Sequence, residues 1–443
     1  MVDYVMHAPG WALLALVASF LLMRFLSRGL MVSELDSLGL LNIMVAFSVS
    51  LLTAFYVVKA ISVQDFVSVI TLIACFYGGI YLVSVVADLP SLKKSATKAL
   101  PEVFHDDRRG RVYLLIAVAL FLALNGYVWD LMRFATGIDE RQFIFMRFRW
   151  VDVLLRGLNV LLPYLTIGFY AVTKRKWFAA VAVIAAISGV SGGTGKGFLI
   201  PWMLAYFTFD GMLVKRAGLF AFIKKMNAVL VALAGVVATL LIWGLTATDA
   251  LRAVMDRLFA NGDLYFWSLV AGNYSHLWGY YHFWSYLLHP FTAIFGIRAY
   301  DFPIGSRIIG TAGVRVTGLG PNPHLPILLL VLLNGDLLEC AACSVLFGAF
   351  VGLSRVQALK LLSKKSLPGI WRVSIFALFF GAVPGLFPDV GSFEMMLISI
   401  AVLTVALSVL AVPFRGWTKE KRSWKHDSRQ RGFFEAKMNA MKP

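Results

Sequence analysis

Acidic residues are scarce in this chain. It holds 24 Asp and Glu against 41 Lys and Arg, and charged residues of both signs make up only 15% of it. An ordinary soluble domain carries about 25%, so a charged, water-solvated surface of the usual extent is excluded. Cysteine is scarcer still: Cys75, Cys340 and Cys343 are the whole set. All three fall in apolar runs, so no disulfide framework supports the polar stretch late in the chain. Cys340-x-x-Cys343 has the spacing of a redox or metal pair, but inside an apolar helix two thiols read as packing. No basic stretch precedes the first apolar run, and Arg24 and Arg28 follow it. That run therefore reads as a membrane span rather than a cleavable leader.

What the chain has in excess is hydrophobicity, at 59% of residues. Runs near the roughly 20 apolar residues that cross a bilayer as a helix recur from end to end. They predict spans at 10–26, 37–58, 66–86, 112–129, 157–173, 177–191, 198–213, 227–247, 325–353, 369–388 and 393–412. The expected fold is an all-α polytopic integral membrane protein with about eleven transmembrane helices. Eight spans occupy 1–247, a large loop 248–323 follows, three spans occupy 324–412, and a basic tail closes the chain at 413–443.

The net charge of +17 does not call for nucleic acid. Its clusters sit at Lys93/Lys94/Lys98, Arg108/Arg109/Arg111, Lys174/Arg175/Lys176, Lys215/Arg216, Arg355–Lys365 and the tail, each close to a span end. That is the pattern of cytoplasmic loops, and it sets the N-terminus outside and the C-terminus inside. Anionic headgroups are secondary partners of this charge. The cations left outside are mostly arginine, the better planar ligand for phosphate. Arg307 and Arg315 have no acidic neighbour between Phe302 and His324, and Arg147 and Arg149 lie in the aromatic stretch Phe143–Trp150. Loop 130–156 reads as an amphipathic helix on the membrane surface, with Arg149 and Arg156 seven apart on one face. Two readings stand for that pair: a grip on a diphosphate, or a plain interfacial helix.

Ser191-Gly-Gly-Thr-Gly-Lys196-Gly197 looks like a P-loop but lacks its first Gly in register and its final Ser or Thr. What survives is a glycine-rich turn with one Lys, able to contact phosphate or simply to join two helices. His276, His282 and His289 punctuate an aromatic stretch that suits either a sugar-stacking surface or an interfacial belt. His324 ends a Gly/Pro loop and opens a long apolar run, which places it at the aqueous mouth of the membrane. There it is either a proton acceptor at neutral pH or a capping residue. Asp336 and Glu339 fall further along the same predicted helix, about 15 Å in for Asp336, and read as structural groups bonding neighbouring helices.

Together these features resemble the Wzy-type O-antigen polymerases and the related WaaL-type O-antigen ligases of Gram-negative inner membranes. The resemblance rests on the outer loop ending in Arg147, Arg149 and Arg156, and on the small-residue loop Ser188–Gly197 with its one base. It rests as well on the large outer loop, where Gly305-Ser306-Arg307 leads to Asn322-Pro323-His324 and then Leu332-Leu333-Asn334-Gly335. Pro323 and Leu325 flank the histidine here, and Asn334-Gly335 stands where the family carries an acid-x-Gly pattern. The resemblance implies a GT-C-like fold with one large periplasmic loop. It also implies a metal-independent glycosyltransferase, without cofactor, in the bacterial inner membrane. Donor and acceptor would be undecaprenyl-diphosphate-linked glycans, with a chain-length regulator protein as a further partner. It assigns His324 and Arg307 to catalysis, and Arg147, Arg149, Arg156, Lys196, Arg315 and Asp301 to substrate binding, with Asp301 a second candidate for acceptor activation.

Two other functions compete. A ligase passing finished O-antigen to lipid A–core would use the same residues. A lipid-linked oligosaccharide flippase would instead show duplicated halves and unwound mid-membrane helices, and no internal repeat stands out in the sequence.

Overall fold

The structure is a computed structural model and describes residues 2–104, 108–132, 149–189, 199–213, 262–294, 297, 304–313 and 324–410. Every regular element among them is helical. Among the described residues seven helices are long and apolar enough to cross a membrane: Pro9–Leu30, Ser37–Val57, Val63–Val86, Gly110–Val128, Trp150–Thr173, Leu337–Leu362 and Phe393–Leu410. Three more apolar helices, Lys176–Gly189, Leu199–Leu213 and Gly369–Ala382, fall short of that length. The protein is membrane-embedded and polytopic. The span expected at 227–247 lies outside the described residues, as do the tail 413–443 and most of loop 130–156.

After α1 (Val2–His7) and α2 (Pro9–Ser27), Asp36 starts α3 (Ser37–Val57) by accepting the backbone N–H groups of Leu38 and Gly39 at 2.9 and 3.1 Å. Ser62 caps α4 (Val63–Val86) in the same way through Asp65 N–H, 3.0 Å away. An amphipathic helix, α5 (Leu89–Val103), buries Leu89, Ala96, Ala99 and Leu100 against the bundle and leaves Lys94 and Lys98 exposed. It is followed by α6 (Arg108–Met132), α7 (Arg149–Thr173), α8 (Lys176–Gly189) and α9 (Leu199–Leu213). Because α7 runs unbroken from Arg149 to Thr173, residues 149–156 belong to a spanning helix rather than to a separate surface helix.

The stretch expected as one span at 325–353 is two helices. The eight-residue α13 (Leu325–Leu332) stops at a left-handed turn, Asn334 at φ 52° and Gly335 at φ 77°, and α14 (Leu337–Leu362) begins afresh under its cap Asp336. Asp336 accepts from the N–H groups of Leu338 and Glu339 at 2.9 and 3.0 Å, so it ends a membrane helix and is exposed, not buried part-way along one.

Packing of α14 on α4 fixes the direction of both. Ser344 donates to the carbonyl of Leu72 at 2.7 Å. A Cβ on Gly348 would stand 1.9 Å from the Phe76 carbonyl oxygen, and one on Gly352 would stand 2.8 Å from Val83 Cβ. The small residues at 344, 348 and 352 lie on one helix face and bring two parallel backbones into contact, as small-xxx-small patterns do in membranes. Two faces can therefore be named. The loop face carries Lys59, Asp65 and Asn334; the basic face carries Lys94, Lys174, Arg175, Lys176, Lys364 and Lys365.

Near the basic face Arg355, fully buried, bonds Asp36, the Leu30 carbonyl at 3.0 Å and Ser37 Oγ at 3.0 Å. Its guanidinium also lies 4.1 Å from the Phe380 ring centroid. Phe380 belongs to a π-helical turn, Leu378–Ala382, that continues α15 (Gly369–Ala377), and its carbonyl accepts from Ser37 Oγ. The chain then turns through Phe387–Asp389 into α16 (Val390–Leu410).

Candidate functional site: the loop-face cluster and the buried foot of α13

The described parts of the 248–323 region do not stand clear of the bundle. Leu264, Tyr265, Leu277, Tyr281, Tyr286, Ile304 and Ile308 share one hydrophobic core with Leu51, Phe55, Val69 and Leu72 of α3 and α4. The short helix α10 (Asp263–Tyr265) passes into a π-helical segment, Phe266–Ala271. A Cβ on Gly262, just before it, would meet Leu51 Cδ2 at 2.8 Å and Ser48 Cα at 3.7 Å, half-way along α3. The expectation of a loop lying wholly outside the bilayer is corrected here. The apolar residues within the loop, Leu264 to Val270, find their burial only by dipping between the spans.

At the loop face the segment is pinned by the α13–α14 turn. Gly279 N–H donates to Asn334 Oδ1 at 2.7 Å, and the Trp278 ring fills the space a Cβ on Gly335 would need, 2.5 Å away. Asn-Gly is the pair that accepts two successive positive-φ positions with least strain. This is what Asn334-Gly335 does in the fold: it reverses the chain and receives the loop. Tyr274 donates to Asp65 at 3.2 Å, and Asn273 N–H donates to Thr311 Oγ1 at 2.9 Å. These contacts hold α11 (Phe283–Ile294) and α12 (Ile304–Thr311) over the bundle.

Arg307 projects from α12. Its guanidinium carbon stands 4.9 Å from the Tyr280 ring centroid, a cation–π contact worth about 0.5–1 kcal/mol at an exposed site. It also lies beside the Tyr281 hydroxyl. Burial pushes Tyr281 up to about 12, with Arg307 acting in the opposite sense. Tyr281 is thus a neutral phenol at physiological pH. Tyr280, under this cation, is 62% exposed, and Trp284 and Trp278 of the same segment are 69% and 45% exposed.

His324 lies elsewhere. It precedes α13 without capping it through its side chain, it is 7% exposed, and its Nδ1 has no hydrogen-bond partner. Its ring meets Tyr265 edge-on at 5.1 Å and Phe387 at 6.1 Å, and the next N–H, of Leu325, donates to the Phe387 carbonyl at 2.8 Å. Phe387 in turn packs 5.0 Å from Phe76, which stands thirteen residues into α4, or about 20 Å from its loop-face end. His324 is therefore buried inside the bundle, at the foot of an eight-residue half-helix, about 12 Å long, that rises toward the loop face. The expected place at the aqueous mouth is corrected, because the apolar run Leu325–Leu332 is too short to cross the membrane and serves as a re-entrant arm.

The Tyr265 hydroxyl is also fully buried and without a partner. So is Glu394 Oε2, one turn into α16 beyond the Phe387–Asp389 turn. A buried polar group left unpaired costs about 1–3 kcal/mol. Tyr265 and Glu394 were not singled out in the sequence. A lone Glu in the apolar run 393–412 carried a signal, since ionisable residues inside spans default to function; Tyr265 carried none.

Of the other expected site residues, Arg156 pairs with Asp152 at 2.9 Å on α7, whose buried residues belong to the second core and not to the one under Arg307. Arg149 opens the same helix. Arg147, Lys196, Arg315 and Asp301 lie outside the described residues. Among the described residues no group of three or more His, Cys, Asp and Glu is placed to hold a metal ion, so His276, His282 and His289 do not assemble one. Cys340 and Cys343 are free thiols in α14.

No family model, no curated protein and no solved structure matches this chain.

Proposed function

We propose that the protein is a polysaccharide polymerase of the Wzy type. In this reading it joins undecaprenyl-diphosphate-linked repeat units at the loop face, taken as the periplasmic side of a bacterial inner membrane, on a GT-C-like scaffold of about eleven spans. The observation that carries it is Arg307, held against Tyr280 and Tyr281 on a segment that also exposes Trp278 and Trp284. Exposed rings bind sugar faces, and a cation fixed beside them stabilises charge that develops on a departing diphosphate. The acceptor hydroxyl oxygen attacks the donor's anomeric carbon, the bond from that carbon to the diphosphate oxygen breaks, and the hydroxyl proton passes to a base. His324 is the proposed final acceptor of that proton, received through an intervening hydroxyl or water because of its depth. Arg147, Arg149, Lys196, Arg315 and Asp301 complete the proposed substrate set, with Arg156 joining it only if it leaves Asp152.

A second reading has its own support. A half-helix ending inside the bundle beside unpartnered buried polar groups resembles the discontinuous helices of transporters, and it favours a lipid-linked oligosaccharide flippase. The test uses purified protein, an undecaprenyl-diphosphate-linked repeat unit and excess EDTA, read as a glycan ladder. A ladder that is lost on Arg307→Ala supports the polymerase. Transfer only after lipid A–core is added assigns a ligase. Silence in both, with lipid-linked glycan crossing the bilayer of proteoliposomes, assigns the flippase.

A further inference from the structure

We infer that the foot of α13 is a polar pocket occupied by hydroxyl groups, of solvent water or of a sugar, that enter from the loop face. Three observations converge on it. The His324 and Tyr265 rings are in contact, and each carries a buried polar atom with no partner in the protein. In hydrocarbon surroundings such atoms need a hydrogen-bonding guest, and buried waters commonly fill that role. The two elements that carry these rings both rise to the loop face. Tyr265 leads through Phe266–Ala271 to Gly272 and Asn273, beside Thr311, and His324 leads through α13 to Asn334 and the docked Gly279. Partly exposed Asp263, two residues before Tyr265 in the chain, adds a further polar side chain near the ring pair.

The opposite direction is closed. Phe387 seals the space beneath His324 against Phe76, and below that the Arg355–Phe380 stack and the Asp36 ion pair fill the bundle. These contacts obstruct the route from the basic face. A neutral hydroxyl suits the pocket better than an ion, because a phenol and an imidazole offer both donor and acceptor capacity without net charge.

Synchrotron hydroxyl-radical footprinting of the unaltered full chain in detergent tests this, since radicals form from water held against a side chain. Tyr77 and Tyr164 are equally buried, but their hydroxyls meet Asn42 at 3.0 Å and Thr208 at 3.5 Å, so they serve as dry controls. The expected result is modification of Tyr265 and His324 about tenfold faster than of the two controls. Rates equal to those of Tyr77 and Tyr164 would overturn the inference. Sidedness is read on Tyr265→Cys, with Cys75, Cys340 and Cys343 replaced by Ala, in sealed vesicles treated with a membrane-impermeant methanethiosulfonate. Labelling from the loop side supports the route; labelling only from the basic side, or only after denaturation, sinks it. Addition of the undecaprenyl-diphosphate-linked repeat unit separates the two guests: protection assigns the sugar hydroxyl, and unchanged labelling assigns water. None of these readouts needs activity, so the pocket can stand or fall apart from the polymerase reading in the glycan assay.

Discussion

Arg355 and His324 are both buried basic side chains, at different depths of the same bundle, and their surroundings differ in one respect. Every direction around the Arg355 guanidinium is answered: by Asp36, by the Leu30 carbonyl, by Ser37 and by the Phe380 face. Asp36 is likewise filled, since it also caps α3 and accepts from Val32 N–H at 2.8 Å. Around His324 the rings of Tyr265 and Phe387 supply contact but no hydrogen bond to Nδ1. A saturated buried network holds helices in place, whereas an unsaturated one waits for something that is not protein. Burial alone does not distinguish a joint from a site; the hydrogen-bond account does.

The sharpest way to break that contrast is Arg355→Ala, which leaves Asp36 buried and uncompensated. A loss of about 3–5 kcal/mol is expected, read as a large fall in the midpoint of heat-induced loss of monodispersity in detergent. Arg355→Met combined with Asp36→Asn should recover part of it, since Asn still caps α3 and no lone charge remains. A fall below one-third of the predicted loss would mean the pair is not the joint described here.

Next in size is Gly348→Ala. Its Cβ meets the Phe76 carbonyl oxygen at 1.9 Å with backbone on both sides, so α4 and α14 must separate, at an expected cost of about 1–3 kcal/mol. Cys340→Ala, on the same helix, is the control for a nearby substitution that adds no volume. Smaller again is Tyr265→Phe, expected to move stability by less than about 1 kcal/mol because it removes a hydroxyl with no protein partner. Radical labelling at His324 should nevertheless change in that variant. If Tyr265→Phe costs as much as Arg355→Ala, the two regions are alike and the contrast fails.

The smallest effect expected is at the basic surface. Lys365 bonds Glu102 at 2.8 Å and holds its carboxyl below the ordinary value. A depressed carboxylate stabilises above its unfolded pKa, and the effect is lost as pH falls through the folded one. Both side chains are well exposed, so solvent screens the pair. Lys365→Ala should leave the thermal midpoint at neutral pH unchanged within error, and a clear drop would show the surface pair to be more than decoration.

Much of the membrane architecture was legible in composition. Apolar runs report spans because a helix is the one open segment that satisfies its own backbone in lipid, and Ser37–Val57 and Val63–Val86 fall within a few residues of the expected limits. Hydropathy failed where the same apolar character serves a different geometry. Leu325–Leu332 and Leu264–Val270 are apolar because they are buried in protein, not because they cross a bilayer, and a hydropathy window counts both alike. The close-packing face at 344, 348 and 352 and the left-handed turn at Asn334-Gly335, which divides the run expected as one span at 325–353, emerge only from the structure.

The candidate site was legible only in its residue types. Arg307 stood out for lacking an acidic neighbour in sequence, and the aromatic stretch around it for its density of rings. That Tyr280 and Tyr281 hold the guanidinium is a contact between segments more than twenty residues apart, which spacing does not encode.

By itself, then, the sequence determined that this protein lives in a membrane as helices, because the free energy of transfer from water depends on composition summed along a run. Tertiary structure alone decided that Arg355 is a joint, that Asp336 is a cap, and that His324 is buried beside Tyr265. Each of those depends on which partner a polar atom meets, and partners are brought together by packing between distant segments.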